Sequence, residues 1–426
     1  MIVIGFVIFL ILAPLIVLYV RGITYDFSSG QFVQTGILAV HTNPASAGIS
    51  LNGKLASKTS ADIKFLPPKE YDITVNQPGY RPWEKRLRVT EGKVTWASPP
   101  SGYIYLFLAS PASMTLASDA ADFYASPEYN LIAILTKNSL VLTSAANPAQ
   151  SQVYPLPAPA ASLTASPDGR QFILNGSGTA TPAILYFNIA DKKFINLRPL
   201  FPTTTPSWLY DGNGKLYALS GKQLFAIDPA AGQKRLLQTE LLAATFQDEN
   251  LYGLQQQGTT TALSIWTNPA GAGQAIITGL PLFHSASLFV SFEKQIFLLA
   301  DSALYKADLG LTPLADNISA WDFNQQESSL IFFHDGELDY FNPFDNTIDL
   351  ITRRGGPITD PLLRLSLNNA FLNEGNRIKA LELDTRDHQN EYDLYNGTDI
   401  IKFSLNDSGT ELLVLDGSTL KLLTIR

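Results

Sequence analysis

The sequence predicts an all-β chain behind one N-terminal apolar helix: a transmembrane segment, a small β-sandwich, then a β-propeller of four-stranded antiparallel blades. Three observations carry this. Gly, Pro, Asn, Ser and Thr punctuate the 426 residues every few positions, as in chains rich in tight turns. A polar turn flanked by apolar strands recurs about every 40 residues from Ser118 onward, the spacing of four short strands and their turns. The first 20 residues carry no charge. The expected boundaries are 1–21 for the anchor, 22–35 for a polar linker, 36–98 for the sandwich and 99–426 for the propeller.

The apolar fraction of 46% is ample for buried cores, and 16% charged residues is low. The net charge is -8 with no run of Lys or Arg that could neutralise successive phosphates, which argues against a nucleic-acid partner. No cysteine is present, so disulfides and thiolate metal sites are excluded.

Ile2 to Val20 is 19 uncharged, mostly branched residues, enough at 1.5 Å per residue to match a hydrocarbon core of about 30 Å. Pro14 would kink such a helix rather than break it. The stretch is longer than a signal-peptide core and ends in Tyr19, Val20 and Arg21 without a small-x-small cleavage site, which favours an uncleaved anchor over a signal peptide. Arg21 alone would pull the body into the cytoplasm, but long domains translocate largely regardless of charge. A single-pass protein with an extracytoplasmic body is expected, mainly from the resemblances below.

In the sandwich region, Ile37–Val40, Ile49–Leu51, Tyr71–Val75 and Leu87–Val89 alternate as half-buried strands, and Asn52-Gly53 is a strong hairpin signal. Asn43-Pro44-Ala45-Ser46-Ala47, Leu51-Asn52-Gly53-Lys54 and Gly79-Tyr80-Arg81-Pro82-Trp83 resemble the PEGA family of small extracytoplasmic β-sandwich modules. Pro67-Pro68-Lys69-Glu70 departs from it where a glycine is usual before the tyrosine strand, and Ser60 stands where proline is common. The resemblance implies a structural or surface-associated module with no catalytic residues.

The recurring turns start at Ser126, Ser166, Asp211, Gln247, Ser291, Asn324, Ser366 and Ser404. That is eight units, with seven blades as the alternative if one unit is irregular. Unit two shows the plan, with strands at 161–165, 171–174, 184–189 and 194–197. The last unit is one strand short, and Tyr103–Leu108 has no blade of its own, so it is expected to clasp the ring as the outermost strand of the last blade. Ser166-Pro167-Asp168-Gly169 is the fullest turn, and the region resembles propellers of the TolB-like and WD-repeat-like group. That likeness implies fold and not activity.

Chemistry is sparse. The four histidines, His41, His284, His334 and His388, lie at least 50 residues apart, so a His-rich metal site needs a coincidence of blades. His334, before Asp335-Gly336, reads as a solvated hairpin residue. Asp384 to Asp393 reads as an exposed loop with solvated charges; its alternating oxygens could hold Ca²⁺, but it lacks the glycine and spacing of an EF-hand. No G-x-S-x-G nucleophile elbow and no phosphate-cradling glycine loop is present. Neither a metal nor a cofactor is expected.

Trp208, Trp266 and Trp321, in three units, could line a recognition face, and Tyr80 and Trp83 could stack on sugars or peptides; core packing is the simpler role for all five. The expected function is a membrane-anchored envelope protein with a non-catalytic propeller binding a protein or glycan partner. The alternative is an envelope polysaccharide hydrolase or lyase with paired carboxylates in the propeller funnel.

Overall fold

Alternation of apolar and polar residues builds the small module. The computed structural model describes residues 9–10, 12–13, 16–26, 30–99, 101–176, 182–325 and 327–426. Gly36–Asn43 pairs antiparallel with Ala61–Leu66, and its other edge pairs parallel with Val94–Trp96 and then Tyr103–Tyr105. A second sheet runs Lys54–Ser57, Gly48–Leu51, Glu70–Asn76, Trp83–Arg88. Leu38, Val40, Ile49, Ile73, Val75 and Leu87 close the core between them. Asn52 and Gly53 have φ of 49° and 74°, as the predicted hairpin turn requires. Trp83–Arg88 alternates strictly buried and exposed, and one of its three inward residues is Lys85.

Of the predicted span from Ile2 to Val20, residues 2–8, 11, 14 and 15 lie outside the described residues. Among the described residues no helix is long and apolar enough to cross a membrane. The described remainder is helical and leaves Phe9, Leu10, Leu12, Ile16, Val17, Tyr19 and Val20 exposed. In the stretch expected to be a linker, Ile23–Asp26 and Gln31–Gln34 pair antiparallel as a two-stranded sheet.

Beyond the module, eight four-stranded antiparallel sheets follow in chain order among the described residues. Blade one is Ala120–Ala125, Ile132–Thr136, Ser139–Thr143 and Gln152–Pro155; blade two is Ser162–Ala165, Gln171–Asn175, Ile184–Asn188 and Lys193–Asn196. The innermost strands of blades three to seven are Ser207–Tyr210, Leu241–Gln247, Ala286–Val290, Ile318–Asn324 and Ile358–Arg364. Second strands read as continuous apolar runs because both faces are covered by neighbouring blades; all five residues of Ile132–Thr136 are buried. The recurring turns have a local cause. Ser166, fully buried, accepts the Gln171 N–H on its hydroxyl at 3.0 Å, and Ser126 and Ser291 serve Leu131 and Gln295 in the same way.

The ring is clasped, but not by the expected strand. Blade eight is Ile400–Leu405, Glu411–Asp416, Thr419–Thr424 and, outermost, Ala112–Ala117. Tyr103–Leu108 is drawn the other way: Tyr103–Tyr105 joins the module's sheet and Ile104 and Leu106 enter its core. Phe107 then turns into the propeller against Phe371 and Tyr392. An outermost strand needs few apolar residues, which is why the plainer Ala112–Ala117 can serve.

Candidate functional site

A fully buried lysine meets two buried carboxylates where the module meets blade seven. In that blade the third strand, Arg377–Glu382, leads through a loop to the fourth, Glu391–Asn396. Lys85, its side chain fully buried, places Nζ 3.1 Å from Glu382 Oε2 and 3.3 Å from Asp384 Oδ2, and donates to the Asp384 carbonyl at 2.7 Å. Trp83 Nε1 donates to Glu382 Oε1 at 3.1 Å. Asn390 donates to Glu382 Oε2 at 2.7 Å and to the Glu84 carbonyl at 3.1 Å. Arg386 forks Asp384 and reaches back to the Trp96 carbonyl at 2.9 Å.

Two cations thus face two carboxylates, and each side of the junction supplies what the other lacks. Burial pushes the Asp384 carboxyl up, but the bonds from Arg386 and the charges of Lys85 and Arg386 outweigh it and hold the group below its usual range. The loop predicted to be solvated is therefore a docking platform, with Asp384 and Asn390 buried. Around it, Arg81 Nη2 donates to the Asp393 carbonyl at 2.8 Å, Tyr392 to the Pro82 carbonyl at 3.1 Å and Asn368 to Ser98 at 2.9 Å. The sequence held two signals, an inward lysine on an alternating strand and an acidic loop, but Lys85 and Asp384 stand 299 residues apart.

A cleft of about 390 Å³ opens beside this junction, lined by Ser101 of the connecting segment and by Glu293, Glu327, Phe344, Leu365 and Ser366 of blades five to seven. That volume suits a small ligand or one peptide or sugar unit. Glu327 is occupied in holding the Leu365 and Ser366 N–H groups at 2.8 and 3.1 Å, while Phe344 is 77% exposed.

The innermost strands carry a second charged network. Lys402 Nζ donates to Asp122 Oδ1 and to the Phe123 carbonyl, both at 2.8 Å, across the seam where blade eight meets blade one. Asp122 Oδ2 accepts the Leu163 N–H of blade two at 2.8 Å, and Asp360 accepts the Phe403 N–H of blade eight at 3.4 Å. Burial, with the Asp322 charge adding and Lys402 opposing, pushes Asp360 up to about 6; burial likewise raises Asp322. A carboxyl near 6 has the acidity of a general acid or base. Asp122 and Asp360, however, are spent on fastening one inner strand to the next.

The five aromatic residues singled out in the sequence do not converge. Trp208 and Trp266 are buried, the first donating to Asn175 at 3.3 Å. Trp321 is 39% exposed on the inner strand of blade six, its ring 4.4 Å from that of Phe289. Tyr80 packs on the module core and bridges Leu108, and Trp83 is the anchor described above. His334 is not a solvated loop residue: it is half-buried, with Nε2 3.0 Å from Asp339.

Comparison with known proteins agrees with this architecture. Residues 35–100 match the PEGA domain. Among solved structures, the C-terminal WD40 domain of Sif2 is similar at 13% identity and a TM-score of 0.52, over 74% of this chain and 98% of that one. A eukaryotic initiation factor gives 11% and 0.51, over 72% and 84%, and the Dos1 propeller 10% and 0.50, over 73% and 93%. At these identities the likeness shows the β-propeller fold alone. Among curated proteins nothing matches the chain.

Proposed function

We propose that this chain is a membrane-anchored envelope scaffold, in which the PEGA module is a rigid spacer and the propeller a non-catalytic platform for a protein or glycan partner. The observation that carries this reading is the buried Lys85–Glu382–Asp384 cluster, which ties spacer and platform together through desolvated charges and not through a flexible linker. The strand Gly36–Asn43 supports the spacer role. Near its start Thr35 bonds Gly22 at 2.8 Å and the Tyr19 ring stacks on Phe65; from its end Leu106 takes the Asn43 carbonyl and the chain enters the propeller. Eight extended residues set the apolar N-terminal segment and the propeller roughly 25 Å apart. The uncharged stretch Ile2–Val20 and its exposed apolar side chains support the anchor. The cleft at Ser101, Glu327 and Phe344 is the place for a partner to touch both parts at once.

The absence of native cysteine makes the test clean. Cysteine at the fully exposed Leu309 should be labelled in intact cells by a membrane-impermeant maleimide, and the protein should sediment with membranes. Spin labels at Leu55 in the module and Val153 in blade one should give one narrow distance. Soluble protein, protection of Leu309 from the reagent, or a broad distance distribution would each overturn the corresponding part.

A further inference from the structure

A hairpin of blade six carries a feature that the scaffold reading leaves unused. Ser329–His334 and Glu337–Asn342 are joined by Asp335 and Gly336, with φ of 47° and 82°. His334 stands directly opposite Glu337, and Asp339 follows Glu337 by two positions, so period-two alternation puts all three side chains on one face. The register makes a three-residue cluster from one tight turn, with no contribution from another blade. One ligand atom from each lies within 4.8 Å of the others.

Asp339 marks this as more than a group of polar residues. It is 8% exposed, and while its Oδ2 lies 3.0 Å from His334 Nε2, its buried Oδ1 has no hydrogen-bond partner. A buried oxygen left without a donor costs about 1–3 kcal/mol, and native proteins carry few of them. Glu337 is oriented by Arg353, with Nε 2.7 Å from Oε1. The Asp335 carboxylate stands 3.8 Å from His334 Nδ1, on the far side of the ring from the cluster.

We propose that His334, Glu337 and Asp339 form a binding site for a divalent transition-metal ion, Zn²⁺ first, with one coordination position left open. One imidazole and two carboxylates are a donor set that Zn²⁺ accepts, and three protein ligands leave the fourth tetrahedral position to water or an incoming donor. With the ion on Nε2 the ring carries its proton on Nδ1, toward Asp335, the arrangement in which an outer carboxylate orients a metal-bound histidine. The ion would also supply the partner that the buried carboxylate lacks. Ca²⁺ would bind poorly, because it takes six to eight oxygens. In a four-stranded meander the turn between second and third strands lies at the end opposite the two other turns, which here face the module. The cluster therefore lies at the end of the blade away from the module. The site stands on this hairpin alone and is independent of the scaffold reading.

The test uses the full chain in detergent, stripped with a chelator and titrated with ZnCl₂ by calorimetry, with MnCl₂ and CaCl₂ alongside in thermal melts. One Zn²⁺ per chain and a raised Tm are expected. Asp339→Asn should abolish binding and Glu337→Gln should weaken it by about tenfold or more. His284→Asn, which removes the exposed His284–Asp301 pair of blade five, should leave it unchanged. No heat and no Tm shift in the wild type overturns the proposal. So does binding that survives both Asp339→Asn and Glu337→Gln, or that is lost in His284→Asn. If Asp339→Asn does not fold, the half-exposed Glu337→Gln decides alone.

Discussion

Two buried networks in this molecule use the same side chains to opposite electrostatic effect. At the module junction Asp384 is held below the usual carboxylate range, because Arg386 and Lys85 bring it bonds and charge that outweigh its burial. On the inner strands burial pushes Asp360 up to about 6, and one backbone N–H at 3.4 Å, with Lys402 committed to Asp122, offsets it only in part. Burial opposes the charge in both places. What differs is the supply of cations, and at the junction a second module brings the buried one. A carboxylate-rich loop and an inward lysine, each costly alone, become a joint when they meet.

The sharpest way to break the comparison is to cut that supply. Lys85→Ala leaves Glu382 and Asp384 desolvated with Arg386 alone, and should cost about 3–5 kcal/mol in the unfolding of the docked unit. Limited proteolysis should then cut the segment between Trp96 and Ala112, which should stay intact in the wild type. Combining Lys85→Met with Glu382→Gln and Asp384→Asn should recover part of the loss, since no unpaired charge is left buried. Equal damage from the triple variant would mean that packing, and not counter-charge, holds the joint.

The next effect is a pH dependence whose sign differs between the two networks. Asp360, near 6 in the fold against about 3.9 unfolded, lets the native state hold more protons, so its contribution to stability falls as pH rises from about 4 to 6. Asp384 is lowered, so its contribution is complete above about 4 and is lost as pH falls through its lower folded value. Asp360→Asn should flatten the upper window, leave the acid loss in place, and stabilise the protein at pH 7 by on the order of 1–2 kcal/mol. Denaturant melts from pH 3 to 7 would show it; a slope between pH 4 and 6 that survives Asp360→Asn assigns the proton to another group.

How much of this the sequence disclosed follows from how local each cause is. The eight blades were legible because a buried Ser, Asn, Asp or Gln closes most first turns and recurs with them. The hairpin at Asn52-Gly53 was legible for the same reason. The clasp was misassigned to Tyr103–Leu108 because that stretch reads as a strand with no blade of its own while the last unit is one strand short. Those residues are apolar because two cores share them, whereas Ala112–Ala117, at the rim, buries little. The junction was illegible because Lys85 acquires its meaning only beside Glu382 and Asp384, brought to it by closure of the ring. His334 was read as solvated because it precedes the hairpin turn Asp335-Gly336, while the pairing of one histidine with carboxylates across that turn was not weighed.

The smallest effect sharpens the comparison most. Arg86, next to Lys85 on the same strand, sets Nε 2.6 Å from Asp72 Oδ1, closer than Lys85 stands to either of its carboxylates. Both side chains of that pair are more than half exposed, so water and salt already satisfy them and the bond replaces little. The part of Arg86 that matters to the junction is its backbone N–H, which Asp387 Oδ2 accepts at 2.8 Å and which any residue retains. Arg86→Ala should therefore leave the melting temperature and the protease pattern unchanged, at low and high salt alike. A loss comparable to that of Lys85→Ala would show that distance rather than desolvation sets the strength of these pairs, and the account of the junction would fail with it.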